Sequence, residues 1–205
     1  AGYPVEIDGS GITDAGVHAN GQTATVVLSG QAEDGFFTEK INSRLPGDIR
    51  ILDAELVRNG FHARKSAVGK RYIYQLDLAE KPDVFTRRYT YHFPQQLDLE
   101  AMRKAAKLLT GTYEFAGYTD KKDEKSTKRT IYAIMICGQG SKVNIHYEGT
   151  GFLYHMVRIL TGTLLEVGTG ARSIESVKEP LKTKDRSQAG FLAPARGLFL
   201  DEVFY

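Results

Sequence analysis

The chain has 205 residues, with 27 Lys and Arg against 25 Asp and Glu and 41% hydrophobic residues, which is the composition of an ordinary globular protein rather than of a disordered or collagen-like one. A formal charge of +2 excludes a polybasic, tail-like binder. The apolar run over residues 132–137 is far short of the roughly 20 residues that cross a bilayer, and the single Cys137 cannot form an intramolecular disulfide.

No Cys/His cluster has metal-ligand spacing, so a reducing compartment and no structural zinc are expected. No basic segment followed by an apolar one opens the chain, so no secretory signal is expected and the expected location is the cytoplasm.

Residues 3–8 alternate loosely and lead into the Gly-rich stretch Asp8-Gly9-Ser10-Gly11-Ile12-Thr13-Asp14-Ala15-Gly16-Val17, after which residues 22–28 are rich in β-branched side chains. That pattern predicts strand, loop, strand. Residues 33–44 carry Phe36, Phe37 and Ile41 at helical spacing, and Leu45-Pro46-Gly47-Asp48 is a stop signal, since proline cannot continue the helix. A strand is predicted over 49–57. Another, over 66–78, puts Tyr72, Tyr74 and Leu76 on one face and Arg71 and Gln75 on the other.

Asp98 is placed to cap a helix over 99–109, with Gly111 just beyond its end. Residues 129–137 and 142–147, separated by Gly138-Gln139-Gly140-Ser141, predict an antiparallel hairpin. A helix follows over 151–167, Ser173 caps a short one reaching about 183, and 197–204 alternates as a closing strand. The fold class is therefore α+β, with helices packed on a mostly antiparallel sheet.

Two segments carry chemistry. In residues 9–19 the glycines at 9, 11 and 16 give the backbone freedom for positive φ around a single carboxylate, Asp14. The simplest reading is a turn whose aspartate bonds its own backbone. The helix containing Phe152, Leu153, Met156, Val157, Ile159 and Leu160 is apolar nearly all round, yet holds Arg158 in its middle. A guanidinium cannot deprotonate, so it either snorkels along its stem to water or meets an acid from elsewhere in the fold, Asp14 being one candidate.

Between Phe61 and Tyr72, the cations Arg64, Lys65, Lys70 and Arg71 interleave with aromatic rings, a composition that fits both a solvated strand face and a surface for phosphates and unpaired bases. Further cations stand at Arg87, Arg88, Lys121, Lys122, Lys125, Lys128 and Arg129. His18, His62 and His155 fall in these segments without a spacing partner for a metal or a triad, and receive no catalytic role.

Taken together, the segments resemble the TruA family of tRNA pseudouridine synthases along nearly the whole chain. The resemblance is carried by Gly11-Ile-Thr-Asp14-Ala-Gly-Val-His18-Ala19 with Gly21-Gln22, by Asn42 with Leu45-Pro46 and Asp48-Ile49, and by Phe61-His-Ala-Arg64 with Ser66-Ala67 and Lys70-Arg-Tyr72-Ile-Tyr74. Gly151-Phe-Leu153-Tyr-His-Met-Val-Arg158, Glu166-Val-Gly168, Lys184-Asp-Arg-Ser187, Ala193-Pro-Ala195 and Gly197-Leu198 complete it.

The resemblance implies two α+β halves, residues 1–95 and 96–205, whose sheets join around a central RNA-binding cleft. It implies that Asp14 attacks the target uridine, that Arg158 pairs with Asp14, and that Tyr72 packs against the target base between the apolar Leu153 and Leu198. Ile12, His18, Arg64, Lys70 and Arg71 are the further substrate-binding candidates. No cofactor is implied; a homodimer is, acting on uridines 38 to 40 of the tRNA anticodon stem-loop.

Two departures from the family pattern stand out. Ile12 replaces an arginine implied to enter the stem, and isoleucine cannot hydrogen-bond a base edge or a phosphate. The family's strand–helix unit ahead of the loop is missing, which would leave residues 3–8 short of a sheet neighbour. A catalytically weak tRNA-binding paralogue of the same fold is accordingly the alternative to the enzyme.

Overall fold

The computed structural model describes residues 4–28, 36–122 and 126–205. Contacts divide the chain into two units, one of residues 1–11 and 23–66 and the other of residues 12–22 and 67–205.

In the smaller unit β1 (Ile7–Gly9) pairs antiparallel with β3 (Ala24–Val26), with Asp8 opposite Thr25. The strand expected over 3–8 is thus observed at its end; Tyr3 lies outside the described residues. Helix α1 spans Phe36–Asn42, and residues 33–35 of the expected helix also lie outside the described ones. The strand expected over 49–57 does not form. Its β-branched and leucine side chains are exposed, including Leu52 and Leu56, and among the described residues no strand pairs with it. Pattern alone cannot make a strand where no ladder partner satisfies its backbone. The Asn42 side chain stands in for one: its amide donates to the Ile51 carbonyl and accepts from the Ile51 N–H, both at 2.8 Å.

In the larger unit the sheet runs β2 (His18–Ala19), β9 (Leu198–Phe204), β4 (Gly69–Asp77), β8 (Lys142–Gly149), β7 (Lys128–Gln139) and β6 (Gly111–Glu114). β5 (Tyr91–His92) adds to β4 at Leu76 and Asp77, beyond the end of β9. This sheet draws strands from both sides of position 95. Its long pairings are antiparallel, as expected; the two-residue β2 and β5 add parallel bridges too short to leave a sequence signal.

The hairpin β7–β8 turns at Gly140 and Ser141, with Gln139 opposite Lys142. Gly140 has φ 58, as the first position of a two-residue type II′ turn requires. Helix α2 (Leu99–Leu109) begins where Asp98 accepts from the Ala101 N–H at 2.9 Å, and β6 begins at Gly111 with φ 126. Met102, Ala105, Ala106 and Leu109 are its buried stripe, facing β7 and α3 (Met156–Gly168). Each fully buried Met or Leu contributes about 1.5–3 kcal/mol.

Helix α3 is buried nearly all round. It starts five residues later than expected, because Gly151 (φ 156) and His155 (φ 62) take conformations no helix contains. Phe152 and Leu153 are half-buried and buried, but in a loop. Beyond α3 the short helical stretch splits into a 3-10 turn, Glu175–Lys178, and α4 (Glu179–Thr183). No described helix is long and apolar enough to cross a membrane.

The buried tyrosines Tyr74, Tyr118 and Tyr147 satisfy their hydroxyls against the Pro194 carbonyl, the Val177 carbonyl and the Thr161 hydroxyl at 2.7, 2.7 and 2.8 Å. Among the described residues no buried side-chain polar atom lacks a partner.

Candidate active site

Asp14 opens a β-turn in which the Val17 N–H donates to the Asp14 carbonyl at 3.0 Å. Gly16, at φ 81, holds the third position, where a type II turn needs positive φ. The expected turn is present, but the carboxylate turns away from it. Asp14 Oδ2 accepts from Arg158 Nη1 at 2.8 Å, across 144 residues of sequence. The side chains of Asp14 and Arg158 are 23% and 12% exposed, so the guanidinium meets its acid inside the fold rather than snorkelling to water.

Arg158 is fixed at its other edge. Its Nε donates to the Ala193 carbonyl at 2.7 Å, and the Ala193 N–H returns a bond to the Arg158 carbonyl at 3.2 Å. The strap carrying Ala193 is tied down on both sides: the Gly190 N–H donates to Thr163 Oγ1 of α3 at 2.8 Å, and Tyr74 of β4 bonds Pro194. Gly197 then passes so close to the Tyr74 ring that a Cβ would stand 2.8 Å from it.

Tyr72 lies on β4 beside a bulge, where Arg71 faces Glu202 of β9 but Tyr72 faces Leu200. Its ring meets Phe152 edge-on at 5.4 Å. Burial pushes its phenol up, and the negative charge of Asp14 adds to the effect, taking it to about 12. At neutral pH the hydroxyl is therefore a neutral donor in the field of Asp14. Leu153, ahead of α3, and Leu198, at the start of β9, are both buried.

The other candidates are placed differently. Ile12 is 98% exposed, two residues before Asp14. His18 is built into the scaffold: a ring nitrogen lies 2.9 Å from the Arg88 carbonyl, and the ring stacks on Phe199 at 4.8 Å. Arg71 is committed to acids, its Nε donating to Glu148 at 2.6 Å and its Nη1 to Glu202 at 2.8 Å. Lys70 sits between Gly149 and Val203 in the sheet register. Arg64 belongs to the smaller unit, where its N–H donates to His62 Nδ1 at 3.2 Å.

Three side chains that received no role from the sequence complete the cluster. His155 Nε2 stands 3.3 Å from Asp14 Oδ2, and its Nδ1 stands 2.6 Å from Asp120 Oδ2. Asp120 in turn accepts from Arg186 Nε at 2.7 Å, and Arg186 Nη1 donates to the Gly190 carbonyl at 2.9 Å. Burial pushes the Asp120 carboxyl up, but the hydrogen bonds from His155 and Arg186 outweigh it, and the group lies below its usual value. One signal was available: His155 and Arg158 are three apart at the start of a helix, the spacing that puts two side chains over one spot. Nothing in the sequence announced Asp120.

His155 adopts φ 62 without being glycine, a conformation that costs about 1–2 kcal/mol. It persists because the segment is held elsewhere: Thr119 Oγ1 donates to the Tyr154 carbonyl at 2.9 Å, and the imidazole Nδ1 is hydrogen-bonded to Asp120 at 2.6 Å.

A family model described as tRNA pseudouridine synthase matches residues 105–205. The tRNA pseudouridine synthase A of Geobacillus sp. (strain WCH70) is 42% identical over 205 residues, covering all of this chain and 83% of the relative. That of Bacillus subtilis (strain 168) is 44% identical over 204 residues, 98% of this chain and 82% of its own. The tRNA pseudouridine synthase A 2 of Clostridium perfringens (strain 13 / Type A) is 41% identical over 202 residues, 98% of this chain and 83% of the relative. Identity at this level along virtually the whole chain, in a mixed α+β fold with a mostly antiparallel sheet, places the chain in the tRNA pseudouridine synthase A family.

Proposed function

We propose that the chain is a tRNA pseudouridine synthase that isomerises uridine to pseudouridine at positions 38 to 40 of the anticodon stem-loop, with Asp14 as its nucleophile. The observation that carries the reading is the Asp14–Arg158 pair, a carboxylate at the tip of a glycine turn held at 2.8 Å by a half-buried guanidinium. Opposite charge at that distance favours the ionised carboxylate, the form that can attack.

A target uridine has to leave its stack to reach such a group. Asp14 attacks, the N-glycosidic bond breaks, and the detached uracil turns and rejoins the ribose through carbon; the proton on that carbon is then released and the carboxylate is regenerated. The product is an isomer of the substrate, and the balance requires no external oxidant or reductant. Tyr72, neutral and half-buried, offers a flat face to the base, with Leu153 and Leu198 as apolar walls. Exposed Lys121 and Lys122 follow Asp120 and suit a phosphate track. A cytoplasmic homodimer gripping one tRNA with both subunits completes the reading, since two-fold symmetry lengthens a modest basic surface.

The exposure of Ile12 supports the second reading, a tRNA-binding paralogue with little turnover, because a side chain so placed faces RNA without a hydrogen-bonding group. Pseudouridine formation in an unmodified tRNA carrying uridines at 38 to 40, measured for the parent, Asp14→Ala and Ile12→Arg, separates the two. Turnover that vanishes in Asp14→Ala supports the enzyme. An inactive parent that binds tRNA and gains turnover with Ile12→Arg locates the defect in base displacement, and inactivity of both supports the binding role.

A further inference from the structure

We propose that His155, set between Asp120 and Asp14, is a positioning residue that fixes the Asp14 carboxylate for attack through its Oδ1 oxygen. The inference rests on the reading of Asp14 as the nucleophile.

Each imidazole nitrogen stands near a carboxylate oxygen, Nδ1 at 2.6 Å from Asp120 and Nε2 at 3.3 Å from Asp14. The Nδ1 contact is a hydrogen bond, in which the ring N–H donates to a carboxylate that can only accept. That bond sets the plane of the ring and so holds Nε2 against Asp14.

The ring sits among charged groups from four segments. Asp14 comes from the glycine turn, Asp120 from the segment after the 3-10 turn Ala116–Tyr118, Arg158 from α3, and Arg186 from the 3-10 turn Arg186–Gln188. The Tyr154 ring stacks over the imidazole at 3.7 Å between centroids. Each carboxylate has its own guanidinium, Asp14 that of Arg158 and Asp120 that of Arg186. The fixed end is Asp120, locked by Arg186; the working end is Asp14.

Arg158 Nη1 and His155 Nε2 approach the same oxygen of Asp14, Oδ2, at 2.8 Å and 3.3 Å. The Arg158 hydrogen bond and the imidazole packed beside it stop the carboxylate from swivelling about its terminal bond. Oδ1 is then the oxygen presented to the substrate. A side chain held within narrow limits of its productive geometry is what a nucleophile requires.

The test is kinetic and uses the full chain. With unmodified tRNA carrying uridines 38 to 40, His155→Ala is expected to lower kcat about ten- to a hundredfold with KM nearly unchanged. His155→Gln, whose amide nitrogen reaches the place of Nε2, is expected to regain most of the loss.

Equal kcat for His155→Ala and His155→Gln overturns the proposal. Should His155→Ala fail to fold, Asp120→Asn, which loosens the ring, is expected to lower kcat in its place, and an unchanged kcat overturns the proposal. Asp14→Ala is run alongside: if it retains turnover, the reading of Asp14 fails and the proposal falls with it, whereas loss of turnover there with unchanged kcat in His155→Ala overturns the positioning role alone.

Discussion

Arg158 and Ala193 hold each other in both directions, the guanidinium Nε donating to the Ala193 carbonyl and the Ala193 N–H donating to the Arg158 carbonyl. The geometry of the arginine therefore depends on how closely the strap of residues 189–195 lies on α3. Gly162 sets that distance: a Cβ built on it would fall 1.9 Å from the Phe191 carbonyl oxygen.

Gly162→Ala consequently reverses the usual sign of a helix substitution. In an exposed helix the change would stabilise by about 1 kcal/mol, whereas here it displaces backbone. We expect a loss of about 1–3 kcal/mol in urea unfolding, and a fall in turnover as Arg158 moves with the strap. A stabilised and fully active variant would refute the link.

The Asp14–Arg158 pair is expected to act on activity more than on stability. Asp14→Asn and Asp14→Ala should each lower pseudouridine formation by about a thousandfold or more. Arg158→Met leaves the carboxylate without its nearest cation and should cost about 2 kcal/mol, less than in a fully buried pair because Asp14 keeps part of its contact with water. In a double-mutant cycle Asp14→Asn should offset part of that loss, and strictly additive values would show the two groups to be uncoupled.

Tyr72 gives an alkaline signature. Its phenol is raised from an ordinary 10.0 to about 12 by burial and by the charge of Asp14. A group raised on folding contributes stability that is complete below its unfolded value and is lost as pH rises through the folded one. The urea midpoint should therefore fall between about pH 10 and pH 12, with the fall shallower in Tyr72→Phe. In Asp14→Asn, ultraviolet titration should show this tyrosine moving back toward 10.0, since one of the two causes is gone.

Asp77 gives the acid counterpart. Its side chain is 1% exposed, and burial pushes its carboxyl up. The Ala79 N–H, the Lys142 ammonium at 3.1 Å and the Asp83 N–H outweigh that and hold it below 3.8. Its contribution is present above the ordinary carboxylate value and is lost as pH falls through the lowered one. Asp77→Asn should cost about 1–3 kcal/mol at neutral pH and flatten the loss of stability below about pH 4. Urea midpoints measured from pH 3 to pH 7 check both.

Local elements were legible where the signal is local. Helix α2 needs only a capping aspartate, a 3.6-residue apolar stripe and a glycine beyond it, and it spans the expected residues 99–109. The β7–β8 hairpin needs only two alternating runs about a glycine turn. Residues 49–57 carry the same kind of pattern and form no strand, because a strand is completed by a neighbour and not by its own side chains. The start of α3 was misplaced for a related reason. Apolar residues report burial, and Phe152 and Leu153, in the loop from Gly151 to His155, are covered as residues on a helix face would be.

The sequence by itself determined the α+β class and the family resemblance, since residue types and short spacings are sufficient for these, and the resemblance implied Asp14 as the partner of Arg158. Residue pattern alone left Arg158 between an acid and water. Asp14 and Arg158 are 144 residues apart, and only the packing of the glycine turn against α3 and the Ala193 strap makes them neighbours. The tertiary structure alone also decided that His155, Asp120 and Arg186 belong to the same cluster. Their contacts come from three separate segments, and a hydrogen bond between distant segments leaves no periodicity, no spacing and no composition by which a sequence could announce it.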